Sequence, residues 1–123
     1  MNDMLTSKAL SDIQSERHRQ IHKGYDAAND DKDERGNHAR AGSFYATAAY
    51  YQRNCGYDSS TDPSFERAEC TRQFVQRLAD DASAGYPWDS RTKSVEHSAR
   101  ANLVKAAALL VAEIERIDRE GAL

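Results

Sequence analysis

The sequence predicts an all-α fold, a four-helix-bundle-like single domain, and three observations carry that expectation. Apolar residues recur at spacings of three and four along four separate stretches, and no stretch alternates as a half-buried strand would. Breakers fall between those stretches: Gly24, Gly36, Gly56, Gly85 and both prolines, Pro63 and Pro87. Large aliphatic and phenyl side chains are scarce: Leu, Ile, Val and Phe fill 18 of 123 positions, whereas alanine fills 19 and tyrosine six. A core built from so little is marginal on its own. Self-association is therefore expected, through the alanine-rich second helix, the last helix, or both.

The first helix is expected over about 3–22, where Leu5, Ala9, Leu10, Ile13 and Ile21 recur at helical spacing. With Ile13 at the centre of that face, Glu16, Arg17 and Gln20 fall within about 60° of it at 100° per residue. Polar groups in such a position need partners or a cleft. Arg17 has two readings: it pairs with an acid on a neighbouring helix, or it faces a ligand. Gly24 then stands where a helix C-terminus wants a left-handed residue. The next ten residues, 25–34, hold five acids and read as a loop, with Asn37 as the N-cap of a second helix over 38–54. That helix is apolar on two sides. Ala41, Phe44, Ala48, Tyr51 and Cys55 form one stripe, and Ala39, Gly42, Ala46 and Tyr50 the other. Such a helix lies centrally or inside an interface.

Asp62-Pro63 makes a start signal for a third helix over 62–83, carried by Phe65, Ala68, Thr71, Val75, Leu78 and Ala82. Tyr86-Pro87-Trp88-Asp89 follows, holding the one tryptophan. The last helix, starting at 93 or 98 and ending near 120, has the strongest pattern. Leu103, Ala107, Leu110, Ile114 and Ile117 keep the 4-3-4-3 spacing of a packed seam, which also reads as half of a dimer contact. Seven of the 18 large apolar residues lie in this one helix. Glu115 with Arg119, and Arg116 with Glu120, form supporting i,i+4 pairs.

Charge and composition narrow the function. Seventeen Lys and Arg against 20 Asp and Glu leave a formal charge of −3, which argues against duplex DNA as partner. No apolar run reaches the roughly 18 residues of a membrane span. The first residues lack a signal-peptide pattern, and Cys55 and Cys70 form neither a disulfide framework nor a metal knuckle, so a cytoplasmic protein is expected. Serine-triad, Walker and dinucleotide-binding motifs are absent.

Metal chemistry has thin support. Glu66-x-x-Glu69 and Glu115-x-x-Asp118 match the helical acid pairs of all-α nucleotide pyrophosphohydrolases, but acids at 16% of residues generate such pairs readily. The loop acids Asp30, Asp31, Asp33 and Glu34, with His38, make an alternative Mg²⁺ site; a solvated acidic loop is the plain reading. No cofactor is otherwise implied. Binding has more material. Tyr45, Tyr50, Tyr51, Tyr86 and Trp88 are available to stack on a base, and Arg40, Arg53, Arg91, Lys93, Arg100 and Lys105 to meet phosphate. The residues expected to form a pocket are Arg17, Tyr86, Trp88, Arg91 and Lys93. Against this stands a Trp88 that only clamps a loop onto the bundle.

Three stretches resemble a family of small helical proteins encoded by bacteriophages and prophages. They are Glu16-Arg17-His18-Arg19-Gln20 with Lys23-Gly24-Tyr25-Asp26 and Asp30-Asp31; Tyr86-Pro87-Trp88-Asp89; and the run from Leu103 to Arg119. The chain departs from the family pattern at Asn29, where a histidine is usual, and at Ser90-Arg91-Thr92, where further tryptophans are common; residues 52–85 look inserted. The resemblance implies a phage origin and a compact helical fold, and carries no activity to transfer. Together with the aromatic and basic residues it suggests an accessory protein that sequesters a nucleotide-derived signal or blocks a host defence protein. The alternatives are a Mg²⁺-dependent nucleotide hydrolase and a plain protein-interaction module.

Overall fold

Side-chain caps set the helix starts. The computed structural model describes residues 7–24, 32–55, 58–59, 75–80, 85–88 and 95–121, and every regular element among them is helical. Ser7 Oγ accepts from the Leu10 amide at 3.1 Å and opens α1, Lys8–His22. Gly24, at φ +105°, closes it, and its amide donates to the Ile21 carbonyl at 3.1 Å. The other helices are α2, Asn37–Cys55; α3, 75–80; and α4, Ala99–Gly121. Ser98 caps α4, its Oγ accepting from the Ala101 amide at 3.1 Å. The first helix starts at Lys8 and not at 3, because Ser7 is its cap, and residues 95–98 are not helical, so the last helix takes the later of its two expected starts; most of the expected third helix lies outside the described residues.

One cap differs from expectation. Asn37 is the first residue of α2 rather than its cap, and its Nδ2 donates to Asp33 Oδ1 at 2.8 Å. Gly36 takes the entry position at φ +90°, and its carbonyl accepts from the Arg40 amide at 2.9 Å.

The core is made largely of alanine and aromatic carbon. Ala41, Phe44, Tyr45 and Ala48 of α2 meet Val75 and Ala79 of α3, Val95, and Ala106 and Leu109 of α4; Tyr86 and Trp88 pack onto this cluster. Both α1 and α2 pack on α4. Small residues bring α2 and α4 close. A Cβ on Gly42 would stand 3.1 Å from the Ala106 carbonyl oxygen and 3.2 Å from the Leu110 side chain. Gly42→Val is therefore expected to force the two helices apart and lose about 1–3 kcal/mol, measured by urea unfolding.

The seam of α4 is the main correction. Within the chain, α4 does not pack through Leu103, Ile114 and Ile117, which are 48–57% exposed, and Leu110, 44% exposed, only edges against Gly42. It buries Ala99, Asn102, Ala106, Ala108, Leu109, Ala112 and Arg116 instead. Two causes are visible. The alanines admit the close approach to α2 that large side chains would block. The polar residues are bonded across the chain: Asn102 Nδ2 donates to Gln52 Oε1 at 2.7 Å, and Arg116 Nη2 donates to the Asp33 carbonyl at 2.7 Å. Helix α1 is likewise turned so that Arg17 and Gln20 are buried while Leu10 and Ile21 stay exposed. Of the expected i,i+4 pairs, Arg116 and Glu120 approach at 3.5 Å, whereas Glu115 turns to Arg17.

A candidate ligand-binding cleft

The end of α1, the middle of α2, the 85–88 segment and the first half of α4 enclose a cleft of about 420 Å³. That volume falls in the range of small-molecule sites. Each wall has a local reason to be where it is. Gln20, on the inward side of α1, donates through Nε2 to Glu16 Oε2 at 3.2 Å and to the Lys105 carbonyl at 3.5 Å, tying α1 to α4. Lys23 follows at the C-terminal end of α1, where a cation is favoured. Tyr45 comes from the buried stripe of α2, and Lys105 reaches across from α4.

The aromatic wall is fixed from behind. Phe44 meets Tyr45 and Tyr86 at centroid distances of 5.1 and 5.4 Å, Tyr86 meets Trp88 at 5.8 Å, and Trp88 meets the buried His38 ring at 5.1 Å. All four contacts are edge to face, the arrangement aromatic quadrupoles prefer. Trp88 Nε1 also donates to Asp33 Oδ2 at 2.5 Å. The clamp expected of Trp88 is thus present, and the same clamp holds the indole at the cleft.

Charge in the cleft is mixed, with cations in excess. Arg19, Lys23 and Lys105 line it with Glu16 and Glu96. Arg19 grips Glu16 through two nitrogens, at 2.8 and 2.6 Å. Burial pushes the Glu16 carboxyl up, but the bonds from Arg19 and Gln20 and nearby cations outweigh it, so the group titrates below its ordinary value. Lys105 Nζ lies 3.2 Å from Glu96 Oε2 and 4.8 Å from the centre of the Tyr45 ring.

Asp33 has the same balance. Burial raises it, but donation by Asn37, Trp88 and the Glu34 amide, with the His38 charge nearby, holds it below the usual carboxylate range. A depressed folded pKa contributes stability above the unfolded value and loses it as pH falls through the folded one. Emission from the single tryptophan is therefore expected to change below about pH 4, as Asp33 protonates and releases the indole. An Asp33→Asn variant should lack that transition.

The expected pocket residues divide. Tyr86 and Trp88 line the cleft. Arg17 does not: its Nε and Nη2 reach Glu115 Oε1 at 3.0 and 2.9 Å, on the far side of α1 in a second groove with Leu10, Ile13, Ile21 and Val111. That is the acid-pairing reading of Arg17. Arg91 and Lys93 lie outside the described residues, as do Asp30, Asp31 and the Glu66–Glu69 pair. Of the alternative metal residues, Glu34 is exposed and His38 is buried against Trp88, and among the described residues no three His, Cys, Asp or Glu side chains cluster as a metal site. The other aromatic and basic candidates split similarly. Tyr45 and Lys105 reach the cleft, while Tyr50 packs on Tyr51, Arg53 pairs with Asp58, and Arg100 with Asp12.

Sequence reasoning did not assign Arg19, Lys23, Glu96 or Leu109 to a site. The signal that pointed nearest was the polar block on the apolar face of the first helix, from which Glu16 and Gln20 do line the cleft. Among the described residues no helix is long and apolar enough to cross a membrane. No protein-family profile matches the chain, and neither a curated protein nor a solved structure matches it.

Proposed function

We propose that the protein is a non-catalytic binder of a nucleotide-derived small molecule, held in the cleft between α1, the 85–88 segment and α4. The observation that carries this reading is the convergence of Tyr45, Tyr86 and Trp88 with Arg19, Lys23 and Lys105 on one cleft of about 420 Å³. Aromatic faces bind bases with little regard to sequence, at roughly 1–3 kcal/mol per base, and cations meet the phosphate. The paired acids supply acceptors for the exocyclic amines of a base.

The three stretches that resemble phage-encoded proteins all contribute to this cleft: Glu16, Arg19, Gln20 and Lys23 from the first, Tyr86 and Trp88 from the second, Lys105 and Leu109 from the third. That supports a phage accessory protein that sequesters a nucleotide signal of host defence. In this reading it works as a self-associated helical unit, the form a thin alanine core favours.

The single tryptophan makes the test direct. Titrating the full chain with mononucleotides and with cyclic di- and trinucleotides is expected to give a saturable change in Trp88 emission for one class. A panel that leaves the emission unchanged at millimolar ligand would overturn the assignment of the cleft.

A further inference from the structure

Helix α4 carries seven of the chain's 18 Leu, Ile, Val and Phe residues, and within the chain only Leu109 of the seven is buried. Leu103, Leu110, Ile114 and Ile117 instead lie along its outer side at 48, 44, 56 and 57% exposure. At 100° per residue these four and Ala107 fall within an arc of about 80°, a stripe about 21 Å long. Their 4-3-4-3 spacing is that of one helix packing along another. Beside the stripe runs a groove of about 380 Å³ in which Leu10, Ile13, Ile21 and Val111 stand with the Arg17–Glu115 pair, Gln14 and His18. Monomers rarely expose a continuous apolar face of this extent.

The charge on α4 says what covers it. Residues 99–109 carry Arg100 and Lys105 and no acid, while residues 110–121 carry Glu113, Glu115, Asp118 and Glu120 against Arg116 and Arg119. Of these, Arg100, Glu113 and Asp118 lie within about 80° of the centre of the stripe, whereas Lys105 faces the cleft, so the flanks of the stripe are basic at its start and acidic at its end. This polarity runs against the helix dipole, which favours acids at the N-terminus and cations at the C-terminus. A second α4 laid antiparallel reverses the fault: each basic end lies beside an acidic end. The same operation sets the Leu103 and Ala107 end of one stripe over the Ile114 and Ile117 end of the other, so one patch serves both copies, as a two-fold contact requires.

We infer that the outer face of α4 is the seam of an antiparallel homodimer, its occupant a second copy of this chain. The inference rests on the self-association included in the proposed function and not on the ligand. The seam residues do not line the cleft, so both halves of the dimer keep their binding site.

Sedimentation equilibrium of the full chain tests it. The wild type is expected at twice 13.8 kDa in the micromolar range. Ile114→Lys with Ile117→Lys is expected to weaken dimerisation at least about 100-fold. Both positions are more than half exposed, so helical content stays unchanged. A monomeric wild type at 100 µM or above contradicts self-association altogether. A dimer that survives the double substitution leaves self-association standing and overturns this face. Orientation is read separately, in chains with Cys55→Ser and Cys70→Ser. Oxidation should join Leu103→Cys to Ile117→Cys between copies, and each variant alone should crosslink poorly. Efficient like-to-like crosslinking at both positions would mean a parallel pair and overturn the antiparallel seam. Nucleotide-induced change in Trp88 emission is expected to be the same in the monomeric variant, so failure of the seam and failure of the cleft remain distinct.

Discussion

Asn102→Leu is expected to destabilise the protein by about 2–5 kcal/mol, although the side chains are similar in size. Asn102 is fully buried, and every polar atom of its amide is used. Nδ2 donates to Gln52 Oε1 at 2.7 Å and to the Glu96 carbonyl at 3.2 Å, while Oδ1 accepts from the Glu96 amide at 3.0 Å. Gln52, itself buried, donates to the same Glu96 carbonyl at 2.7 Å. Leucine would leave Gln52 Oε1 and the Glu96 amide without these partners, at about 1–3 kcal/mol each. Adding Gln52→Met should recover part of the loss, because an absent partner needs no bond. A thermal midpoint within about 2 °C of wild type for Asn102→Leu would show the network to be dispensable. The same bonds fix the backbone of Glu96, whose carboxylate meets Lys105 at the cleft, so damage here reaches the site.

Trp88→Ala is expected to reduce ligand affinity roughly 5- to 150-fold, the worth of one stacked base, while leaving far-ultraviolet circular dichroism close to wild type. The indole is only half-buried and packs on the outside of the core cluster, so the alanine-rich centre does not depend on it. Trp88→Phe separates its two roles. Phenylalanine keeps an aromatic face but gives up the bond to Asp33. It should retain most of the affinity if stacking matters, and lose as much as alanine if the bond to Asp33 does. Collapse of helical content in Trp88→Ala would instead make the tryptophan a structural clamp alone.

Much of the fold was legible because its signals are local. Gly24 marks the end of α1 through a bond within three residues, and the 3.6-residue period of α2 and α4 needs no knowledge of their neighbours, although the equally local caps Ser7 and Ser98 were not read from the sequence. Which face turns inward was not legible in α4. Leu103, Leu110, Ile114 and Ile117 outweigh Ala106 and Ala112 in any hydrophobic sum, yet the alanines are inside. The close approach of Gly42 and the bonds made by Gln52 and by the Asp33 carbonyl decide it, and these lie 50 or more residues away.

The site was half legible for a related reason. Tyr86 and Trp88 stand out by type, and the polar block Glu16, Arg17, Gln20 stands out by its place on an apolar face. Nothing in that block says that Arg17 turns to Glu115 while Glu16 and Gln20 turn to the cleft; the rotation of α1 against α4 settles that. Lys23 is an ordinary surface-type residue and Lys105 only one of six candidate phosphate-binding cations until the tertiary fold sets both on one cleft.

The most direct measurement is a thermal-shift panel on the full chain with mononucleotides, cyclic di- and trinucleotides and ADP-ribose derivatives, each with and without Mg²⁺, followed by mass analysis of the recovered ligand. A ligand at 100 times its Kd contributes about 2.7 kcal/mol, which for a chain of this length raises the midpoint by roughly 10 °C. The predicted result is a shift of that size for one ligand class, independent of Mg²⁺, reduced in Trp88→Ala, with the ligand recovered intact. A shift that requires Mg²⁺ and returns a hydrolysed ligand, or no shift across the panel, would contradict a non-catalytic nucleotide-binding cleft.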